Sequence, residues 1–514
     1  MSNFSNASSD VFLIKTKNMI DRGALMSRYS RTNNLDIRDV YNKEFEKNPE
    51  RAADFYKRVF LDYGDESISE LITAQMGIQN VSNILSKIIE EPRIGLSYLE
   101  KSSRYVKYDK KVNGKYLFLR GNDAGIYKND MEYDEFCNEL FDFYSRAYRE
   151  LSGYMKELYP IEEFNFEIGG EIYSYDKIKD LNDPVIENAY KSSLRASVLD
   201  EIRLLLPAST LTNIGLSGNG RAFISLIERL GQYKTKESIK YADLIYNELR
   251  NEMPEIIDDA TSEHGKKQME YNMKRDLIGY EEKFPREDID EVVLLNYENE
   301  KSAIDKATKL LVYQYYGDYS RRNMEFPEEL KIIDELASIR KNRRHKVGRA
   351  FESINYLFQI NINYGAFREL QRHRFLSIVR KQLGINYGYD IPKNLSKIDE
   401  LRNNYVELME KAKTIYIDIK EKNGAAVAQY AVPYAYKYPV VFNVNFNELT
   451  YFIELRSNQQ VHPDLRSATI KMYEEVKRVH PNLSKLIKFV DTSEYKLGRL
   501  PYEIKKEKRK QDIK

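Results

Sequence analysis

"LLLPASTLTNIGLSGNGRAFISLIERL", residues 204–230, and "YAVPYAYKYPVVFNVNFNELTYFIELR", residues 430–456, share one layout. In each, a proline is followed twelve residues later by an asparagine, Pro207 by Asn219 and Pro433 by Asn445, and an amphipathic helical pattern begins there. Downstream, "ELRNEMPE" with Pro254 and "MYEEVKRVHPN" with Pro481 lie at nearly the same distance from the asparagine. Upstream, "GDESISELITAQMGIQNVSNILSKI" and "GRAFESINYLFQININYGAFRELQ" each place a glutamate, Glu70 or Glu352, at the head of an apolar run. Three correspondences in the same order point to a diverged tandem duplication.

The copies divide the chain into residues 1–262 and 288–504, with 263–287 predicted as a polar linker lacking an apolar period. After it, "EVVLLNYENEKSAIDKATKLLVYQYYG" reads as a strand followed by a helix. The first copy carries an insertion at about 110–190, and the basic tail 505–514 is predicted to fray.

A chain of 514 residues can bury a large interior, and 22 Phe and 41 Tyr suit a folded protein. Its 81 basic and 80 acidic groups leave a formal net charge of +1, which excludes an extended nucleic-acid surface and requires any anion site to be built locally. No apolar run reaches the ~18 residues of a membrane span, and the start lacks a signal-peptide pattern, so a cytoplasmic protein is expected. The lone cysteine, Cys137, lies among Phe136, Leu140 and Phe143 at helical spacing and reads as a buried structural thiol. It excludes an intrachain disulfide, and five histidines without a His-x-x-x-His pair give no expected metal site.

Arg372, His373 and Arg374 stand together beside Phe367, Leu370, Phe375 and Leu376, which predict an otherwise buried segment. Buried guanidiniums need anionic partners: either neighbouring carboxylates along a charged helix face or, best suited to their geometry, phosphates. "YLEKSSRYVKY" offers Glu100, Ser102, Ser103 and Arg104, a phosphate cradle or equally a helix cap. Arg203 lies in an apolar run, and Gly-Asn-Gly-Arg ending at Arg221 is a ligand approach or a tight turn. Arg456 closes a helix, where a cation also complements the dipole.

These residues resemble flavin-dependent thymidylate synthase, recognised by Arg-His-Arg, seven residues, then Ser-x-Arg, with an upstream glutamate and a later Pro, Asn and Arg block. The resemblance implies an α+β fold, two tandem domains each with a β-sheet packed against long helices, and sites shared between subunits. It implies FAD as cofactor, NADPH and methylenetetrahydrofolate as co-substrates, and conversion of dUMP to dTMP without a cysteine nucleophile. In the second copy Glu352, Arg372, His373, Arg374 and Asn445 match the flavin contacts, and Arg372 and Arg456 match residues that polarise the pyrimidine. Gln382 and Gly384 replace the Ser and Arg, and Gln429 replaces the arginine four residues before Pro433. In the first copy Asp65 stands where histidine is usual and Glu90 to Arg93 replace Arg-His-Arg, but Glu100, Ser102, Ser103, Arg104 and Arg203 match the nucleotide-binding elements, and Asn219 and Arg221 further flavin contacts.

Each copy lacks what the other keeps, so composite sites are expected, in a homodimer forming a pseudo-tetramer. Two other readings follow from the departures. One is a flavoenzyme acting on another pyrimidine nucleotide; the other is a non-catalytic nucleotide-binding or scaffold paralogue.

Overall fold

Alternation of apolar and polar residues makes strands of the two matched stretches, and an asparagine ends each one. In Leu211–Asn219 the buried residues are Thr212, Ile214, Leu216 and Gly218, and in Lys437–Asn445 they are Tyr438, Val440, Phe442 and Val444. Asn219 Oδ1 then accepts from the Ala222 amide at 2.9 Å and Asn445 Oδ1 from the Glu448 amide at 2.9 Å. These caps start helices Gly220–Gln232 and Phe446–Arg456. The computed structural model describes residues 3–512 apart from 18, 31, 34–35, 47–65, 93, 129, 169–170, 180–183, 279–288 and 320–323. Asp65 and Arg93 therefore lie outside the described residues.

In chain order the strands are β1 (Thr73–Ser82), β2 (Leu96–Glu100), β3 (Asn165–Ile168), β4 (Glu171–Ser174), β5 (Leu211–Asn219), β6 (Val292–Tyr297), β7 (Asn355–Asn363), β8 (Ser377–Arg380) and β9 (Lys437–Asn445). One sheet has the antiparallel order β1-β5-β2, a second β6-β7-β9-β8, and β3 and β4 form a two-stranded third. The trio β1, β5, β2 corresponds to β7, β9, β8, and a second capped junction repeats as well. Ser82 Oγ accepts from the Leu85 amide at 3.0 Å after β1, and Asn363 Oδ1 accepts from the Ala366 amide at 2.8 Å after β7. The glutamates ahead of the strands also match: Glu70 pairs with Arg221 at 2.8 Å, and Glu352 accepts from Asn447 at 3.2 Å. The α+β duplication is thus built into matching hydrogen bonds. Replacing Asn445 with Ala should cost about 1 kcal/mol, read as a shift in the urea midpoint.

The compact units do not follow the sequence copies. One comprises Met1–Lys101, Phe118–Asp130 and Ser209–Pro285. The other comprises Ser102–Leu117, Met131–Ala208 and Arg286–Lys514. Most of the first copy's insertion, including helix Asp130–Leu158 and the β3-β4 hairpin, therefore belongs to the second unit, as does helix Pro184–Ile202 that follows. Cys137 is fully buried in the first of these helices.

Two expectations are corrected. Much of the expected linker is helix Glu263–Leu277, capped by Ser262, whose Oγ accepts from the Gly265 amide at 3.1 Å, and it packs on helix Gly220–Gln232. The tail is helical to Asp512, because helix Leu500–Asp512 lies along helix Pro184–Ile202 and is anchored just before its start by buried Arg499. Among the described residues no helix is long and apolar enough to cross a membrane.

Candidate active site

Helix Tyr364–Leu370 ends one residue before Gln371, so Arg372, His373 and Arg374 occupy the turn that follows it. Phe367, Leu370 and Leu376 are buried as expected, but Phe375 is 73% exposed, because the turn carries it to the outside beside exposed Arg374. Arg372 is half-buried and His373 is buried.

The contacts of His373 fix its tautomer. Arg456 Nε lies 2.8 Å from His373 Nε2, and a guanidinium can only donate, so Nε2 is the acceptor. The ring proton therefore sits on Nδ1, which faces Glu448 Oε1 at 3.2 Å. Burial pushes the imidazole pKa below its usual 6.5, against the pull of Glu448, so the ring is neutral near pH 7. A histidine with a depressed folded-state pKa contributes stability above the unfolded value, and that stability is lost as the pH falls from 6.5 toward the lower folded pKa. Thermal melts between about pH 7 and pH 5 should show this loss, with a smaller slope in His373→Gln.

Arg456, the last residue of its helix, turns to Glu369 rather than to the carbonyls of its own helix. Nη2 donates to the Glu369 carbonyl at 3.1 Å, and Nη1 lies 3.4 Å from Glu369 Oε2. Glu369 also draws in the two arginines expected to hold a phosphate. Its Oε1 is 2.9 Å from Arg104 Nη1 and 3.7 Å from Arg203 Nη1. Arg104 forms a fork with Asp200 at 2.8 and 3.0 Å and also donates to the Gln460 carbonyl at 3.1 Å. Asp200 accepts a further bond from Arg499 at 2.5 Å. Arg203 donates to the Gly365 carbonyl at 3.0 Å, while its Nε and Nη1 make no hydrogen bond.

Four guanidiniums, Arg104, Arg203, Arg456 and Arg499, thus share two carboxylates, Asp200 and Glu369. Burial opposes ionisation of both acids, yet the arginines hold both below the usual carboxylate range. Arg203, with no carboxylate oxygen nearer than 3.7 Å, has its pKa lowered by burial, which disfavours its charged form. The cluster is short of negative charge. A cavity of about 460 Å³ adjoins it at Asp200 and His462.

The other expected site residues have contacts of their own. Glu100 belongs to the first unit and accepts from Ser86 Oγ at 2.9 Å. Ser102 Oγ accepts from the Arg104 amide at 3.3 Å, and Ser103 is half-buried in the same turn. Asn219 and Asn445 spend their side-chain oxygens on helix caps, while Arg221 and Glu352 have the surface partners already described. Gln429 is buried and accepts from the Leu383 amide at 2.9 Å, tying down the chain after β8. Asp200, Glu369, Arg499 and Glu448 were not expected at the site. The available signal was that Asp200 and Glu369, like Arg203, are charged residues within apolar helical stretches.

The family profile described as thymidylate synthase complementing protein matches residues 14–255 and 293–482. A UPF0159 protein of Thermoplasma acidophilum is 51% identical over 95% of this chain and 99% of its own length. A UPF0159 protein of Chlamydia pneumoniae is 35% identical over 98% of this chain and 96% of its own. A flavin-dependent thymidylate synthase of Pyrococcus furiosus is 25% identical over 36% of this chain and 78% of its own. The two matched segments track the two copies of the strand, cap and helix pattern, and the chain belongs to the thymidylate synthase complementing protein family.

Proposed function

We propose that the chain is an FAD-dependent enzyme that methylates dUMP to dTMP, using methylenetetrahydrofolate and NADPH, at a site assembled from both sequence copies. The observation that carries this reading is the meeting of Arg104 and Arg203 from the first copy with Arg456 from the second around one carboxylate, with more positive than negative charge. A nucleotide phosphate would supply the missing charge, and planar guanidiniums suit its oxygens. Arg456, oriented by neutral His373 and the Glu369 carbonyl, would face the pyrimidine and stabilise charge developing on its carbonyl oxygens.

The Arg-His-Arg turn has the chemistry to hold a flavin dinucleotide. Exposed Arg374 suits a diphosphate, and the exposed Phe375 ring offers a flat apolar face beside it. Arg372 and Glu352 would complete that wall, and bound flavin would supply the reducing equivalents. Two chains would form the working assembly.

Absorption spectra of FAD-loaded protein and product analysis with dUMP and methylenetetrahydrofolate test this directly. Flavin bands and dTMP are expected. Oxidation of NADPH without dTMP would favour another acceptor nucleotide, and failure to take up FAD would leave only a non-catalytic role. Because Arg374 is exposed, Arg374→Ala should change stability by no more than about 0.5 kcal/mol while abolishing flavin uptake.

A further inference from the structure

Asp200 and Glu369 differ in how they are held. Both oxygens of Asp200 accept hydrogen bonds, from Arg104 at 2.8 and 3.0 Å and from Arg499 at 2.5 Å, and its side chain is 8% exposed. Asp200 is a fixed counterion. Glu369 faces three guanidiniums, but its Oε2 accepts only one long bond, from Arg456 Nη1 at 3.4 Å, and its Oε1, though 2.9 Å from Arg104 Nη1, lies outside hydrogen-bonding geometry and accepts none. Its side chain is 14% exposed and that of Arg456 16%, so the pair lies toward solvent, whereas Arg203 behind them is only 3% exposed.

We propose that Glu369 is a displaceable internal anion. Its carboxylate neutralises the arginine set while the site is empty, and an entering phosphomonoester takes its place. The inference rests on reading the cluster as the nucleotide site and adds how that site is closed. The exchange is favourable in charge, because a phosphate carrying about −1.5 to −2 replaces one carboxylate among four guanidiniums. It would also give Arg203 Nε and Nη1 the acceptors they lack. Glu369 lies on the helix that leads into the Arg-His-Arg turn, and its carbonyl receives Arg456 Nη2. Moving the carboxylate outward would therefore open the phosphate position without releasing the backbone contact that orients Arg456.

The test is calorimetric titration of the full chain, wild type and Glu369→Gln, with dUMP and separately with inorganic phosphate, together with thermal melts with and without phosphate. The Gln variant should bind both roughly tenfold or more tightly than wild type, since a buried competing charge has gone. It should also melt lower than wild type without phosphate and gain more on adding it, which a merely structural glutamate would not produce. If wild type binds dUMP and Glu369→Gln binds it no better, the internal anion is overturned and the nucleotide reading stands. Phosphate stabilisation of the Gln variant, with no dUMP binding by either protein, upholds the internal anion and overturns the nucleotide reading. No response to either ligand overturns both. Should Glu369→Gln fail to fold in every buffer, Glu369→Asp replaces it: its shorter carboxylate retreats from Arg104 and must give tighter phosphate binding than wild type, or the proposal fails.

Discussion

Asp200→Asn is expected to destabilise the protein by about 3–5 kcal/mol, because it leaves Arg104 and Arg499 buried without their shared carboxylate. The gain from pairing two charges in the interior is partly cancelled by desolvation, so the intact pair is worth less than the cost of breaking it. Here the imbalance is larger than for an isolated pair, since Arg203 and Arg456 add positive charge nearby and only Glu369 would remain to offset four guanidiniums. Urea unfolding followed by far-ultraviolet circular dichroism measures the effect. Asp176→Asn serves as the control, because Asp176 pairs with Lys179 on the surface, where such a loss stays within about 0.5 kcal/mol. A loss at Asp200 no larger than the control would mean that the cluster is hydrated in solution.

Arg456→Lys is expected to lower kcat by about 10²–10³-fold with the fold and flavin spectrum retained. Lysine keeps the charge but has one nitrogen. All three of its donors radiate from that nitrogen, so it loses the planar fork that places Nε at His373 Nε2 (2.8 Å) and Nη2 at the Glu369 carbonyl (3.1 Å) and leaves Nη1 for substrate. The loss should therefore fall mainly on kcat and not on KM, because misorientation matters most where charge develops. Equal losses in dUMP affinity and in kcat/KM, with kcat unchanged, would instead make Arg456 a binding residue.

The repeat was legible because its signals are local. A proline, an alternating strand, a capping asparagine and a helix lie within about thirty residues, and each step follows from backbone sterics and hydrogen bonding. Glu70 and Glu352 were legible for the same reason. The division into units was not, because the packing of residues 131–208 with the second unit is decided by contacts hundreds of residues away. Residues 263–277 looked like a linker because the segment is polar. A cap at Ser262 and good helix formers were enough, with packing on a neighbouring helix, to order it. The tail misled similarly: its basic composition suggested fraying, while its anchor, Arg499, lies outside the basic run.

At the site, sequence identified the arginines and missed what they touch. Arg104 and Arg203 are expected from sequence at a phosphate and Arg456 at the pyrimidine, and the three do meet, but around Glu369, with Asp200 holding Arg104. The partner of Arg104 is 96 residues away in the chain, and no spacing rule reaches that far. Phe375 was expected inside because its neighbours are apolar. A turn, unlike a helix or strand, imposes no period, so adjacent side chains went to opposite sides.

One contact between the copies bears on the history of the chain. Around Pro207 and Pro433, which form an antiparallel bridge, the Ala208 amide donates to the Val432 carbonyl at 2.8 Å, and the Tyr434 and Ala435 amides donate to the Leu206 and Leu204 carbonyls at 2.9 and 3.0 Å. Equivalent segments thus clasp each other as two identical subunits would across a twofold axis. Fusing the genes of such a dimer makes the clasp intramolecular, so it forms at an effective concentration set by the chain and not by expression level. Selection then no longer has to keep both sides of the axis alike. Four residues before the proline one side has Arg203 and the other Gln429, which serves the backbone, so the two sides of the clasp have already diverged.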